Sequence, residues 1–419
     1  MSYRELPMRA ILAAAWIFQA AAGLVLAGPY SGPNTTSGAI DDPIWGYQDG
    51  LLNPAFVDWA AEVVDYSPAN PHLLDDVWED ASLALGEAVN DRTHVVSLGD
   101  LSAADIAAGA QPGSITLRFD KYIHDGDGAD FGVFENGLVD YGGMIFAELA
   151  FVEVSTDGVH FARFDGVSLT PGPVGEYHPI DATNVYNLAG KHAHGIDDWA
   201  MGPGIQSWAT PLDLAELAGH ELVAQGLLSI DKIRYLRLVD IPGTGDFLDS
   251  LGNRIYDPHE TSGSGGFDLE AVGLIHAAAR GDIDRNGLID TGDIDSLAAA
   301  ISAGASDLKY DYNDDMSVSL GDLDDLLAEQ FGSLLGDLDF DGVVGPADLD
   351  LLLAGYGDSG RYVDGDLTGD GKVDFADWVR LSHRYGQQLG NPEIIPEPSS
   401  LLLLAAGLIC LRGRRGGRR

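Results

Sequence analysis

One cysteine in 419 residues, Cys410, leaves no intrachain disulfide to form. Small domains in such a chain must be held by buried core or by bound ions. Basic residues are also scarce. Against 66 Asp+Glu stand 23 Lys+Arg, giving a formal charge of -43 at pH 7. That field repels nucleic acid and anionic lipid, and neither is expected as a partner. There is no Gly-x-Ser-x-Gly elbow, no His-Glu-x-x-His helix and no phosphate-binding glycine loop. Catalysis therefore finds no recognisable motif, although the chain is long enough for two or three domains. Hydrophobic content of 45% excludes a wholly disordered protein.

Both ends read as processing signals. Arg4 and Arg9 precede an apolar run from Ala10 to Leu26, with small residues at Val25-Leu26-Ala27. Residues 1–27 are expected to be a secretory signal peptide, with an N-terminal membrane anchor as the alternative. At the other end stand Pro396-Glu397-Pro398, an apolar stretch from Leu401 to Leu411, and Arg412, Arg414, Arg415, Arg418 and Arg419. The stretch is short for a membrane span, and the arginines behind it would stay cytoplasmic. These three parts in order resemble the PEP-CTERM sorting signal, assigned here to 391–419. The resemblance implies an exported bacterial envelope or extracellular protein. It would be tethered transiently to the inner membrane by its tail and processed by an exosortase.

Residues 28–279 are rich in strand-like runs, among them 114–119, 148–156, 159–164, 232–240 and 267–275. Thr156-Asp157-Gly158 predicts a tight hairpin. Segments 54–66 and 211–222, each opened by a proline, are spaced as helices. The expected fold is a β-sandwich of jelly-roll type. The runs 125–137, 147–164, 233–240 and 265–275 resemble galactose-binding-like jelly rolls of bacterial cell surfaces. That resemblance implies glycan binding through loops at one end and a structural calcium. Asp125, Asp127, Asp130, Glu148, Asp268 and Glu270 are oxygen donors suited to such an ion; the bland alternative is that the Asp-Gly pairs make turns. His192 and His194 offer imidazoles for a zinc site or simply an exposed loop. Trp199, Trp208 and Tyr186 form a prospective aromatic platform for sugars, or part of the core. Glu135, Glu148 and Glu153 are the acids available to a glycosidase, whose pairing depends on distance in space.

The last third carries a pattern four times over. A loop that binds calcium supplies oxygens at positions 1, 3, 5, 9 and 12, a backbone carbonyl at 7, and glycine at 6. The first loop offers Asp282, Asp284, Asn286, Leu288 (carbonyl), Asp290 and Asp293; the second Asp311, Asn313, Asp315, Ser317 (carbonyl), Ser319 and Asp322. The third offers Asp337, Asp339, Asp341, Val343 (carbonyl) and Asp348, with Gly345 leaving position 9 to water. The fourth offers Asp366, Thr368, Asp370, Lys372 (carbonyl), Asp374 and Asp377. Position 6 is glycine except in the second loop, where Met316 must take a left-handed backbone, so that loop should bind most weakly.

Aspartate at position 12 and a short apolar helix after each loop resemble the type I dockerin repeat. The resemblance implies a small all-α, EF-hand-like calcium module in two tandem pairs, 280–330 and 331–390. In cellulosomal dockerins, positions 10 and 11 carry hydroxyls that meet a cohesin. Here only Thr291 matches, against Gly292, Leu320, Gly321, Pro346, Ala347, Phe375 and Ala376, which argues against a cohesin partner. The expected function is a calcium-binding cell-surface protein recognising glycan or an envelope partner without catalysis. The alternatives are a secreted polysaccharide-degrading hydrolase or lyase and a structural envelope spacer.

Overall fold

The computed structural model describes residues 28–31, 41–48, 51–70, 76–89, 91, 93–139, 144–192, 206–261 and 263–390. The expected leader and sorting tail lie outside these. The chain divides into two compact units, Met1–Ala277 and Ala278–Arg419.

The first unit is an antiparallel sandwich built on eight longer strands. In chain order these are β1 (Ile44–Gln48), β2 (Glu62–Ser67), β3 (Ser114–Ile123) and β4 (Phe131–Glu135). There follow β5 (Ala150–Ser155), β6 (Gln206–Leu212), β7 (Ile233–Asp240) and β8 (Asp268–Leu274). One sheet runs β1–β6–β4–β8 and the other β5–β7–β3–β2, with two-residue strands extending their edges. Register is fixed by pairs such as Thr210↔Val133, Val152↔Leu238 and Leu238↔Ile115.

Burial explains the two sequence patterns. Strand β7 buries Leu236, Leu238 and Asp240 and half-exposes the residues between them, as a strand covered on one face should. Strands β4 and β8 are buried at every position. Their Phe131, Val133, Leu269 and Leu274 fill the layer between the sheets, while Phe134 and Ala271 pack on the far side against Phe56 and Trp59. Each of the larger of these side chains contributes about 1.5–3 kcal/mol of burial free energy. The Asp157-Gly158 turn is present: Gly158 has φ +76°, and Asp157 Oδ1 accepts from the N–H groups of Val159 and His160.

The expected helices at 54–66 and 211–222 are not single helices. The first region holds Asp58–Trp59 and β2, which pairs with β3 through Val63↔Leu117 and Tyr66↔Ile115. Its β-branched and aromatic residues suit a sheet edge better than a helix. The second begins inside β6, where Pro211 pairs with Gly132, and only Glu221–Ala224 is α-helical.

Among its described residues the second unit has four short α-helices: α1 (Thr291–Ser302), α2 (Leu320–Leu326), α3 (Pro346–Gly355) and α4 (Phe375–Arg384). A π-helical turn, Leu327–Phe331, prolongs α2. Each helix follows one of the acidic loops. Ile294 and Leu297, Leu323 and Leu326, Leu349 and Leu352, Trp378 and Leu381 all enter one apolar cluster. The two expected pairs thus share a single core. Polar ties cross between them as well: the Tyr362 N–H donates to Asp295 Oδ1 at 2.7 Å, and Arg384 is paired with Asp324.

Candidate metal centre

The four loops close in one way. The position-1 aspartate accepts the position-6 N–H: Gly287 to Asp282 at 3.1 Å, Met316 to Asp311 at 3.0 Å, Gly342 to Asp337 at 2.9 Å and Gly371 to Asp366 at 2.7 Å. This contact needs a left-handed residue at position 6. The three glycines have φ between +82° and +86°, and Met316 adopts +67°.

The position-12 aspartate joins the loop's start to its helix. One oxygen accepts from Ile283, Asn313, Leu338 or Thr368 near the loop's beginning. The other accepts from the N–H of Asp290, Ser319, Gly345 or Asp374 at position 9. The carboxylates of Asp293, Asp322, Asp348 and Asp377 therefore complete capping boxes, satisfying donors that a helix start leaves open. Asp290 and Asp374 act as N-caps toward Gly292 and Ala376.

Capping leaves part of the arrangement unexplained. Carboxylate oxygens of Asp282, Asp284 and Asp293 lie within 4.8 Å of one another, as do those of Asp337, Asp339 and Asp341. Like charges so close repel unless protonated or bridged by a cation. Asp282 Oδ1 is buried with no hydrogen-bond partner. Burial pushes the carboxyls of Asp293, Asp337 and Asp377 upward. Carboxylates and loop carbonyls are hard donors, and their irregular spacing suits an ion tolerant of six to eight ligands.

The remaining loop residues are distributed as follows. Asn286 and Asp284 bond each other, Asn313 reaches Asp325, and Thr368 Oγ1 donates to Asp366. Asp315, Asp341 and Asp370 stand at position 5; Asp341 accepts from the Val343 N–H and Asp370 from the Lys372 N–H. Leu288 is exposed, and Ser317 occupies the corresponding position 7 of the second loop.

In the sandwich, strand pairing separates the six expected ligands. Asp130 precedes β4 while Asp268 opens β8, and β4 and β8 run antiparallel with Leu274↔Phe131 and Leu269↔Glu135. The two aspartates therefore sit at opposite ends of one strand pair, on the order of 20 Å apart at about 3.3 Å per residue. Asp125 and Asp130 group with Asp213, a residue sequence reasoning missed, while Asp127 is exposed. Asp130 is satisfied by protein: it accepts from Gly126 and Leu214 N–H at 2.8 and 2.7 Å and faces His276 Nδ1 at 2.7 Å. Glu270 accepts from the Val89 N–H.

Glu153 is held by Arg163 and Arg237. Glu135 and Glu148 are 0% and 3% exposed, closed to a polymeric substrate. His192 is buried with Nε2 3.0 Å from the Asp41 carbonyl. Tyr186 stacks on Tyr30 and donates to Glu216, and Trp208 lies opposite Trp45 in β1. His194 and Trp199 lie outside the described residues.

Among the described residues no helix is long and apolar enough to cross a membrane. Comparison with curated proteins finds no match. Residues 395–419 match the model of the PEP-CTERM protein-sorting motif, which implies export and membrane-associated sorting and is consistent with processing by an exosortase. The chain thus carries a PEP-CTERM sorting motif at its C-terminus.

Proposed function

We propose that this is a calcium-ordered protein of the cell surface. Its sandwich, read as a galactose-binding-like jelly roll, is the recognition module for glycan or an envelope partner. Its second unit is a dockerin-like module whose four loops each take one calcium ion. The observation that carries this reading is the meeting of Asp282, Asp284 and Asp293, where one buried carboxylate oxygen has no donor. The same residue pattern recurs in register in the other loops. The ion offsets the repulsion, and metal binding and helix docking become one event. No feature of the site favours the hydrolase reading, since Glu135 and Glu148 are enclosed.

Calorimetric titration of the exported chain with calcium tests the proposal, together with circular dichroism in chelator. The expected result is saturable uptake at up to millimolar calcium and loss of helical signal when the ion is removed. Helical signal indifferent to chelator, with no heat of binding, would falsify it. Glycan arrays probe the recognition role separately.

A further inference from the structure

Lys191 is wholly enclosed in the sandwich, at 0% exposure, and Ser31, Asp41 and His192 around it are each no more than 2% exposed. Its Nζ is paired with Asp41 Oδ2 and donates to the Val185 carbonyl at 2.6 Å. The Tyr30 ring lies 5.9 Å from the amine and stacks on Tyr186. Val185, Leu188 and Ala189, just before the lysine, are buried as well.

Asp41 is clamped from its other side. Oδ1 accepts from the Ser31 N–H at 3.3 Å and lies 2.9 Å from Ser31 Oγ. The Asp41 main-chain carbonyl meets Ser31 Oγ at 2.5 Å and His192 Nε2 at 3.0 Å. The carboxyl is thereby sorted into two unequal oxygens: Oδ1 faces hydrogen-bond donors, and Oδ2 faces an amine. As an ion pair, the two side chains keep opposite charges in a dry interior, where desolvation rivals attraction. As an amide they carry no charge at all. Burial already holds the lysine amine below its ordinary value, against the pull of Asp41 and Asp42, and the neutral amine is the nucleophilic form.

We propose that Lys191 and Asp41 condense into an intramolecular isopeptide bond, made by the folded chain itself. One proton passes from Nζ to Oδ2, leaving an amine beside a carboxylic acid. Nζ then attacks Cγ, forming the C–N bond and placing negative charge on Oδ1, where the Ser31 donors stabilise it. A second Nζ proton moves to Oδ2, the Cγ–Oδ2 bond breaks, and water leaves. The last Nζ proton stays as the amide N–H, directed at the Val185 carbonyl. Fixed contact supplies the proximity that free acid and amine lack, and enclosure keeps bulk water from reversing the step. Asp41 precedes β1 of one sheet, whereas Lys191 follows Ala189, which bridges Ala150 of β5 in the other. The cross-link spans 150 residues of sequence and ties the two sheets together in a chain that can form no internal disulfide.

Intact-mass spectrometry of the full exported chain under denaturing conditions, followed by tryptic mapping, tests the proposal. The chain should be lighter by one water, trypsin should not cut after Lys191, and one branched peptide should join residue 41 to residue 191. Lys191→Arg keeps the positive charge without a primary amine and should restore the full mass, as should Asp41→Ala. Separate linear peptides carrying unmodified Asp41 and Lys191 in the parent chain would overturn the proposal. So would a loss of water that survives Lys191→Arg, which belongs to a succinimide at an Asp-Gly pair. The parent chain decides the matter even where a variant folds poorly, because mass and peptides are read on unfolded protein. Chelator leaves an amide intact, so the result stands or falls apart from the calcium reading.

Discussion

Met316 shows how much one side chain weighs in this chain. Its +67° φ is where L-residues with a Cβ lose about 1–2 kcal/mol. The corresponding residues of the other loops are glycine. Met316→Gly should stabilise the second unit by about 1 kcal/mol, the entropy of a freer unfolded chain offsetting part of the gain. Urea denaturation measures this; a loss of stability would show that the methionine side chain supplies compensating contacts. The need at position 6 was legible in the sequence. Position 4 was not: Arg285, Asp314 and Phe340 are also left-handed, at +59° to +61°. Loop closure imposes that conformation whatever the residue type, so composition gives no warning.

Asp130 offers a second test at this scale. Burial pushes its carboxyl up to about 6, against about 4 in the unfolded chain. The native state therefore holds this proton more tightly. The group's contribution is full below the lower value and is lost as pH rises through about 6. Asp130→Asn should flatten the stability slope between pH 4 and 6, and an unaltered slope would assign that slope to other groups. Asp130→Ala orphans two N–H groups and should cost about 2–4 kcal/mol.

At the scale of elements, the four helices owe their starts to carboxylates. Each is short, and an isolated helix of this length is marginal in water. Asp377 closes α4 by accepting from Thr368 and Asp374 N–H. Asp377→Ala should cost about 1–3 kcal/mol and fray α4, seen as reduced helical circular dichroism. Asp377→Asn keeps one acceptor and should cost about half as much. These helices were readable because aspartate, glycine and apolar spacing agree. Segment 54–66 was misleading for the opposite reason: Phe56, Trp59 and Val63 fit helical spacing, yet long-range pairing of β2 with β3 decides the outcome. The buried acids show the same limit. Asp257 stands alone in the sequence, and only the packing of the loop before β8 brings it near Glu148 and Asp240.

For the molecule as a whole, the shared core of the second unit governs cooperativity. Leu352 is fully buried among residues of all four helices. Leu352→Ala should cost about 2–5 kcal/mol, and α1 through α4 should melt in one transition. Two resolved transitions in calorimetry would instead mean that the repeats fold as separate pairs. The sequence showed four repeats but not their union. Intervals between loops say nothing of whether Tyr362 turns toward α1.

That tyrosine sets the smallest portable piece. The Tyr362 hydroxyl donates to the Leu334 carbonyl and receives the Gly336 N–H, while its own N–H reaches Asp295. Cutting the chain near 331 would break the Tyr362–Asp295 and Arg384–Asp324 ties and bare leucines on each fragment. Transplanting the quartet onto another protein means moving residues 278–390 as one block.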